Sequence, residues 1–234
     1  LKVAADDVKS GFLALHPTKS ILYAAAQTNV PKGEPDGVVI AYAINADGSL
    51  KLINQASTKD KNPTHIEVSR DGKRILACHY GGSGTTLVPV NDDGSLKQSV
   101  AQIAHGGSST HPRRQKRHHP HGVAISHDGR YVCVSDLGND HVEVFRVTNA
   151  DTLEKASRWK AKPGAGPRHV SFHPNGKWLY NINELDNTVN ALEYDAKNGT
   201  IREIQTVSTL PEDFDGQTST AEVLVHPNGK FLYG

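Results

Sequence analysis

Between residues 113 and 123 the sequence reads RRQKRHHPHGV, four cationic side chains and three histidines within eleven residues. Three chemistries suit those residue types: imidazoles ligate metals, guanidiniums grip phosphate or carboxylate with forked donors, and a placed histidine moves a proton. Successive histidines on an extended chain face opposite sides. No cysteine or carboxylate cluster stands at a zinc-ligand spacing from His118, His119 and His121, so neither a metal nor any other cofactor is expected. A nucleic-acid partner is not expected either. No aromatic platform interleaves Arg113, Arg114, Lys116 and Arg117, and 26 basic residues against 25 acidic ones leave a net charge of +1, too little for a global field. What remains for the four cations is a solvated basic loop or recognition of a small anion.

Such residues need a scaffold, and the sequence repeats one. GFLALHPTKSILYAAA, THIEVSRDGKRILACHY, HGVAISHDGRYVCVSDL, RHVSFHPNGKWLYNINEL and AEVLVHPNGKFLYG align Lys19, Gly72, Gly129, Gly176 and Gly229 in one column, with spacings of 53, 57, 47 and 53 residues. Each phrase alternates apolar positions, turns through His-Pro-Asn-Gly or Asp-Gly, and alternates again, which reads as a β-hairpin. Two further strand-like runs follow, such as Thr188 to Tyr194 and Ile201 to Ser208. Four short strands per unit of about 50 residues, with no helical period, predict an all-β fold: a β-propeller of four-stranded blades. We read residues 1–234 as a single domain with blades at about 1–55, 56–112, 113–160, 161–212 and 213–234.

Positions shared by every unit build the blade, so function belongs where equivalent positions differ and are polar. Just before the first strand the column reads Gly11, Thr64, His121, Arg168 and Ala221, and the next reads Phe12, His65, Gly122, His169 and Glu222. At the far end of the second strand stand Ala26, His79, Asp136 and Asn183, followed by Gln27, Tyr80, Leu137 and Glu184. A tight turn makes antiparallel strands start and finish together, so both sets fall at the hairpin end away from the turn. Rotational repetition then gathers His121, Arg168, His169, Glu184 and Glu222 around one mouth of a central channel. The turn histidines His16, His173 and His226 belong to the opposite face and are read as structural.

At 36% apolar and 22% charged residues the chain is of ordinary globular composition. No run approaches the roughly 20 apolar residues of a membrane span, and Leu1 to Ser10 lack a signal-peptide core; no membrane partner is expected. Cys78 and Cys133 sit in apolar strand-like runs and read as buried reduced thiols, which points to a cytoplasmic setting. There is no methionine, and the sequence stops at KFLYG in mid-strand. A fragment of a longer protein is expected.

The phrases GGSSTHPRRQKRHHPHGV (106–123), SDLGNDHVEVF (135–145), GAGPRHVSFHPNGKWLYNINELDNTVNALEYD (164–195) and AEVLVHPNGKFLYG (221–234) resemble the lactonase family of seven-bladed β-propellers. The resemblance implies seven blades in the complete protein and about five here, the first and last incomplete. It implies hydrolysis of the lactone of 6-phosphogluconate, a small anionic substrate; a relative of the same fold closes a lactone on carboxymuconate instead. By motif, the family's catalytic histidine, arginine and glutamate fall on His121, Arg168 and Glu184, and a second arginine falls beyond Gly234. Arg113, Arg114, His119, His169 and Glu222 are then candidate substrate-binding residues. Two departures stand inside the match: Lys116 and Arg117 replace acidic or small residues, and Gly122 replaces a usual Ser or Thr. Glu184 or His121 would act as general base, and Arg168 would hold the carbonyl oxygen or the phosphate. A structural Arg168–Glu184 ion pair and a satisfied loop histidine at 121 are the plainer alternatives. Beside the hydrolase stand two competing functions, a lactonising cycloisomerase and a propeller kept as a binding scaffold.

Overall fold

A computed structural model describes residues 9–28 and 35–234. Residues 1–8, which include most of the stretch read as lacking a signal-peptide core, lie outside the described residues, as do 29–34 of the first repeat. Every element among the described residues is a strand, and each sheet is a meander of sequence neighbours.

The chain divides into two compact units. The first holds two four-stranded sheets: β1 (Lys9–Leu15), β2 (Ile21–Gln27), β3 (Gly37–Ile44) and β4 (Leu50–Ser57), then β5 (Pro63–Val68), β6 (Arg74–His79), β7 (Gly84–Pro89) and β8 (Ala101–Ala104). The first repeat, expected to be incomplete, thus has four strands. The core of this unit is a layer of small and β-branched side chains from both sheets, among them Ala25, Val39, Ala41, Ile66, Ile75 and Val88. The second unit holds β9 (Pro120–Ile125), β10 (Tyr131–Asp136), β11 (His141–Val147) and β12 (Leu153–Lys160), then β13 (Pro167–Phe172), β14 (Trp178–Asn183), β15 (Thr188–Asp195) and β16 (Thr200–Ser208), then the short pair β17 (Leu224–Val225) and β18 (Leu232–Tyr233). Ala124, Cys133, Val144, Val170, Leu179 and Leu192 pack between the two full sheets of this unit. Burial falls from the inner strands to the outer ones: all of β10 is buried, whereas β16 is mostly exposed.

The repeated turn is explained by its chemistry. Gly72, Gly129, Gly176 and Gly229 adopt φ of 69°, 70°, 70° and 71°, a left-handed conformation that costs a side chain about 1 kcal/mol or more. The His-Pro turns are closed by the imidazole: Nδ1 of His16 accepts from the N–H of Thr18 and Lys19, that of His173 from Asn175, and that of His226 from Asn228. These histidines are structural, as their repetition implied.

One expectation is corrected at the other end of the hairpins. Gly11, Thr64, His121 and Arg168 do not precede the first strand; they lie inside it, each at a register shift. Ser10 pairs with Ala26 and Phe12 with Ala25, Pro63 with His79 and His65 with Cys78, Pro120 with Asp136 and Gly122 with Ser135, Pro167 with Asn183 and His169 with Ile182. The residue between each pair is the extra one of a β-bulge. Alternation along an unbroken strand would send it and its successor to opposite faces; a bulge turns the extra side chain away from that alternation. His121 and Arg168 owe their direction to this irregularity.

Candidate active site

Within the second unit the bulged strands bring His121, Arg168 and His169 together with Glu184 and Glu222. Glu184 sits just beyond the end of β14, where its N–H donates to Gly166 O at 2.8 Å and the next N–H, of Leu185, donates to Ala165 O at 3.0 Å. That loop is itself tied down by buried Asp140, whose carboxylate accepts from the N–H of Gly164 at 2.7 Å and of Gly166 at 2.8 Å. The Glu184 carboxylate takes two guanidiniums. Arg168 Nε donates to Oε2 at 3.1 Å, and Arg114 Nη2 lies 2.6 Å from Oε1. Arg168 is held at its other end by Ala221 O, at 2.6 Å from Nη1. The rings of His121 and His169 meet edge to face with centroids 5.1 Å apart. His169 Nδ1 lies 3.0 Å from Glu222 Oε2, and its Nε2 lies 3.4 Å from Arg168 Nη1.

The basic stretch is not a free loop. Gln115 is wholly buried: it donates to Leu137 O at 2.8 Å and to Asp140 at 2.6 Å, and accepts from the N–H of His111 at 2.9 Å. His111 Nδ1 in turn accepts from the N–H of Arg113 and Arg114. This is the His-Pro turn again, used to present Arg114 to Glu184, and neither His111 nor Gln115 was singled out from sequence. The recurring His-Pro pair was the available signal for the first; a lone Gln carried none. Arg113 is exposed and lines a cavity of about 610 Å³ with His111, Arg114, Glu184, Thr218 and Ser219. No carboxylate among the described residues pairs with it. His119 is fixed through its backbone, its N–H donating to Asp136 at 2.7 Å and its C=O accepting from Leu137 at 3.0 Å, so the loop ends where β9 begins.

Electrostatics separate His121 from an ordinary imidazole. Burial, then the charges of Arg168 and His169, push His121 down to about 2 from its usual 6.5. It is a neutral hydrogen-bonding ring at any working pH. For Glu222 burial pushes the carboxyl up, but the hydrogen bond and charge of His169, the N–H of Val223 and Arg168 together hold it below its usual value. The His121 shift has a stability consequence. The unfolded chain takes up a proton near pH 6.5 that the folded state refuses, so stability falls as pH drops below 6.5, by about 1.4 kcal/mol per pH unit for this one site. We expect His121→Asn to flatten the dependence of the urea midpoint on pH between about pH 6 and 4. An unchanged slope would contradict the burial of a neutral ring.

Gly122 explains how close the two inner strands come. A Cβ there would lie 2.5 Å from Arg168 O and 2.7 Å from His169 Cα, both backbone. Gly122→Ala must therefore push β13 away, at a cost of about 1–3 kcal/mol. The check is a lowered Tm together with loss of the Arg168–Glu184 geometry in a crystal structure of the variant.

Sequence and structure comparisons decide the family. The description "Lactonase, 7-bladed beta-propeller" matches residues 1–234. The chain belongs to the lactonase family of seven-bladed β-propellers. Among the chain's relatives, the Bacillus subtilis protein named 6-phosphogluconolactonase is 34% identical over 233 residues, covering 99% of this chain and 65% of its own length. The solved structure of a Lactobacillus plantarum protein superposes with a TM-score of 0.87 at 26% identity, over 99% of this chain and 65% of that one. The Pseudomonas aeruginosa periplasmic gluconolactonase superposes with a TM-score of 0.85 at 31% identity, over 95% and 64%. The chain therefore spans just under two thirds of these relatives' lengths. Among the described residues, no helix is long and apolar enough to cross a membrane.

Proposed function

We propose that the protein to which this chain belongs is a lactone hydrolase, and that its substrate is 6-phosphogluconolactone. The observation that carries the reading is the Arg114–Glu184–Arg168 clamp beside buried His121. Ring opening places negative charge on the carbonyl oxygen, and fixed donors aimed at that oxygen lower the barrier. Arg168 is held rigid by Glu184 and Ala221 O, so its guanidinium needs no reorganisation to oppose that charge. His121, neutral and buried, serves as a hydrogen-bonding ring against the lactone. Three guanidiniums (Arg113, Arg114, Arg168) against two carboxylates (Glu184, Glu222) leave an excess of positive charge suited to an anionic substrate.

The phosphorylated lactone is favoured over an uncharged one by Arg113. It lines the cavity together with Thr218 and Ser219, and a guanidinium with two hydroxyls is a donor set suited to phosphate oxygens. The buried cysteines Cys78 and Cys133, neither in a disulfide, support a cytoplasmic setting, although the P. aeruginosa relative is named as periplasmic. The test is hydrolysis by full-length protein of 6-phosphogluconolactone and of glucono-δ-lactone, against spontaneous opening. Arg113→Ala is expected to raise KM for the phosphorylated lactone about 10-fold or more, a charged contact being worth about 1.5–3 kcal/mol, and to leave KM for glucono-δ-lactone unchanged. Equal changes for both lactones would remove the phosphate assignment, and the absence of any rate above spontaneous opening would remove the hydrolase reading.

A further inference from the structure

Three separate segments of the second unit carry the clamp: residues 111–115 bring Arg114, residues 161–166 lead into Arg168, and Glu184 follows β14. A clamp that opposes developing charge without reorganising needs these segments fixed relative to one another. One buried side chain holds two of them and reaches the third through a backbone contact.

Asp140 lies wholly buried in the turn between β10 and β11. Its Oδ1 accepts from Gln115 Nε2 at 2.6 Å and from the N–H of Gly166 at 2.8 Å, and its Oδ2 accepts from the N–H of Gly164 at 2.7 Å. Gln115 directly follows Arg114, and Gly166 precedes Arg168 by two residues. The C=O of Gly166 in turn accepts the N–H of Glu184 at 2.8 Å, which ties in the third segment. The backbone of Asp140 adds a further hold, its C=O accepting the N–H of Ala161 at 2.8 Å.

Three N–H donors converging on this side chain call for two accepting oxygens. A carboxylate supplies both; an amide would supply one and turn an NH₂ towards a donor. Asp140 also holds φ 60°, a left-handed conformation that Asp and Asn enter more readily than other residues with a side chain. Asparagine therefore keeps the backbone and removes only the second acceptor.

We infer that Asp140 is the positioning residue of the Arg114–Glu184–Arg168 clamp, joining the segment that carries Arg114 to the one that carries Arg168. The inference rests on the lactone hydrolase reading. Asp140 is not among the residues lining the cavity of about 610 Å³, so it acts through the clamp and not on the lactone.

The test uses full-length protein and 6-phosphogluconolactone, at a temperature below the unfolding transition of every variant. Asp140→Asn is expected to lower kcat/KM by about 10–100-fold, the range for losing a partner that orients reacting groups. The deciding readout is a double-mutant cycle with Arg168→Ala. Once Arg168 is gone there is less of the clamp to misplace, so Asp140→Asn should cost under about threefold in that background. A residue that serves folding alone would lower both backgrounds by the same factor. Gln115→Met removes one of the three hydrogen bonds and goes through the same cycle, with a smaller loss that should again shrink beside Arg168→Ala. A wild-type protein with no rate above spontaneous opening overturns the hydrolase reading and this inference with it. With an active wild type, an Asp140→Asn rate within about threefold of it, or equal factors in the two backgrounds, overturns the inference alone. Should Asp140→Asn fail to fold, equal factors for Gln115→Met overturn it.

Discussion

Replacing Arg168 by alanine in the full-length protein is expected to lower kcat/KM on the lactone by about 10²–10³-fold, the usual effect of deleting one donor to a developing oxyanion. The effect is large because Arg168 does several things from one bulge: Nε donates to Glu184 at 3.1 Å, Nη1 donates to Ala221 O at 2.6 Å, and the same Nη1 lies 3.4 Å from His169 Nε2. Arg168→Lys tests whether charge alone is enough. One ammonium on a flexible stem cannot span Glu184 and Ala221 O as a planar fork does, so most of the loss should remain. Steady-state kinetics of both variants beside wild type provide the check. A rate within about threefold of wild type for Arg168→Ala, against the expected loss, would mean that the Arg168–Glu184 pair is merely structural.

The second large effect is on stability. Asp136 is wholly buried, and its carboxylate accepts from the N–H of His119 at 2.7 Å, the N–H of Gly138 at 3.0 Å and the amide of Asn139 at 3.1 Å, with His105 Nδ1 also at 3.1 Å. Asp136→Asn keeps the shape but replaces one accepting oxygen by an NH₂, which must face a donor. We expect a cost of about 3 kcal/mol and, for a chain of this size, a Tm lower by about 6–12 °C. Thermal unfolding of the two proteins decides it, and a shift of under about 2 °C would show that the loop from His105 to His119 draws little stability from this carboxylate. The same variant should also reduce activity, since that loop carries Arg114.

These expectations show how differently the parts of this chain could be read. The hairpin phrase and its left-handed glycine column were legible because alternation of apolar side chains and the φ > 0 turn are local properties, satisfied within a dozen residues. The pairing of Arg168 with Glu184 was legible for a related reason. Repeats superpose, so the start of one strand and the end of the next had to share the hairpin's open end. The bulges were not legible, because a register shift depends on how two strands pair and neither sequence alone displays it. Nor was Arg114, grouped as substrate-binding, visible as the second clamp on Glu184; its direction is set by Gln115, whose partners Leu137 and Asp140 lie in the next hairpin.

By itself the sequence determined the all-β meander, the repeat and its turns, and the family, since each rests on patterns carried by neighbouring residues or by long stretches of similar ones. Only the tertiary structure decided which charges meet. Glu184 became the partner of two arginines instead of a free base, and His121 a neutral ring instead of a titrating one. His169 came to lie between the Glu222 carboxylate and the Arg168 guanidinium. Each of these outcomes depends on distances of about 3 Å between residues far apart in the chain and on the exclusion of water around them.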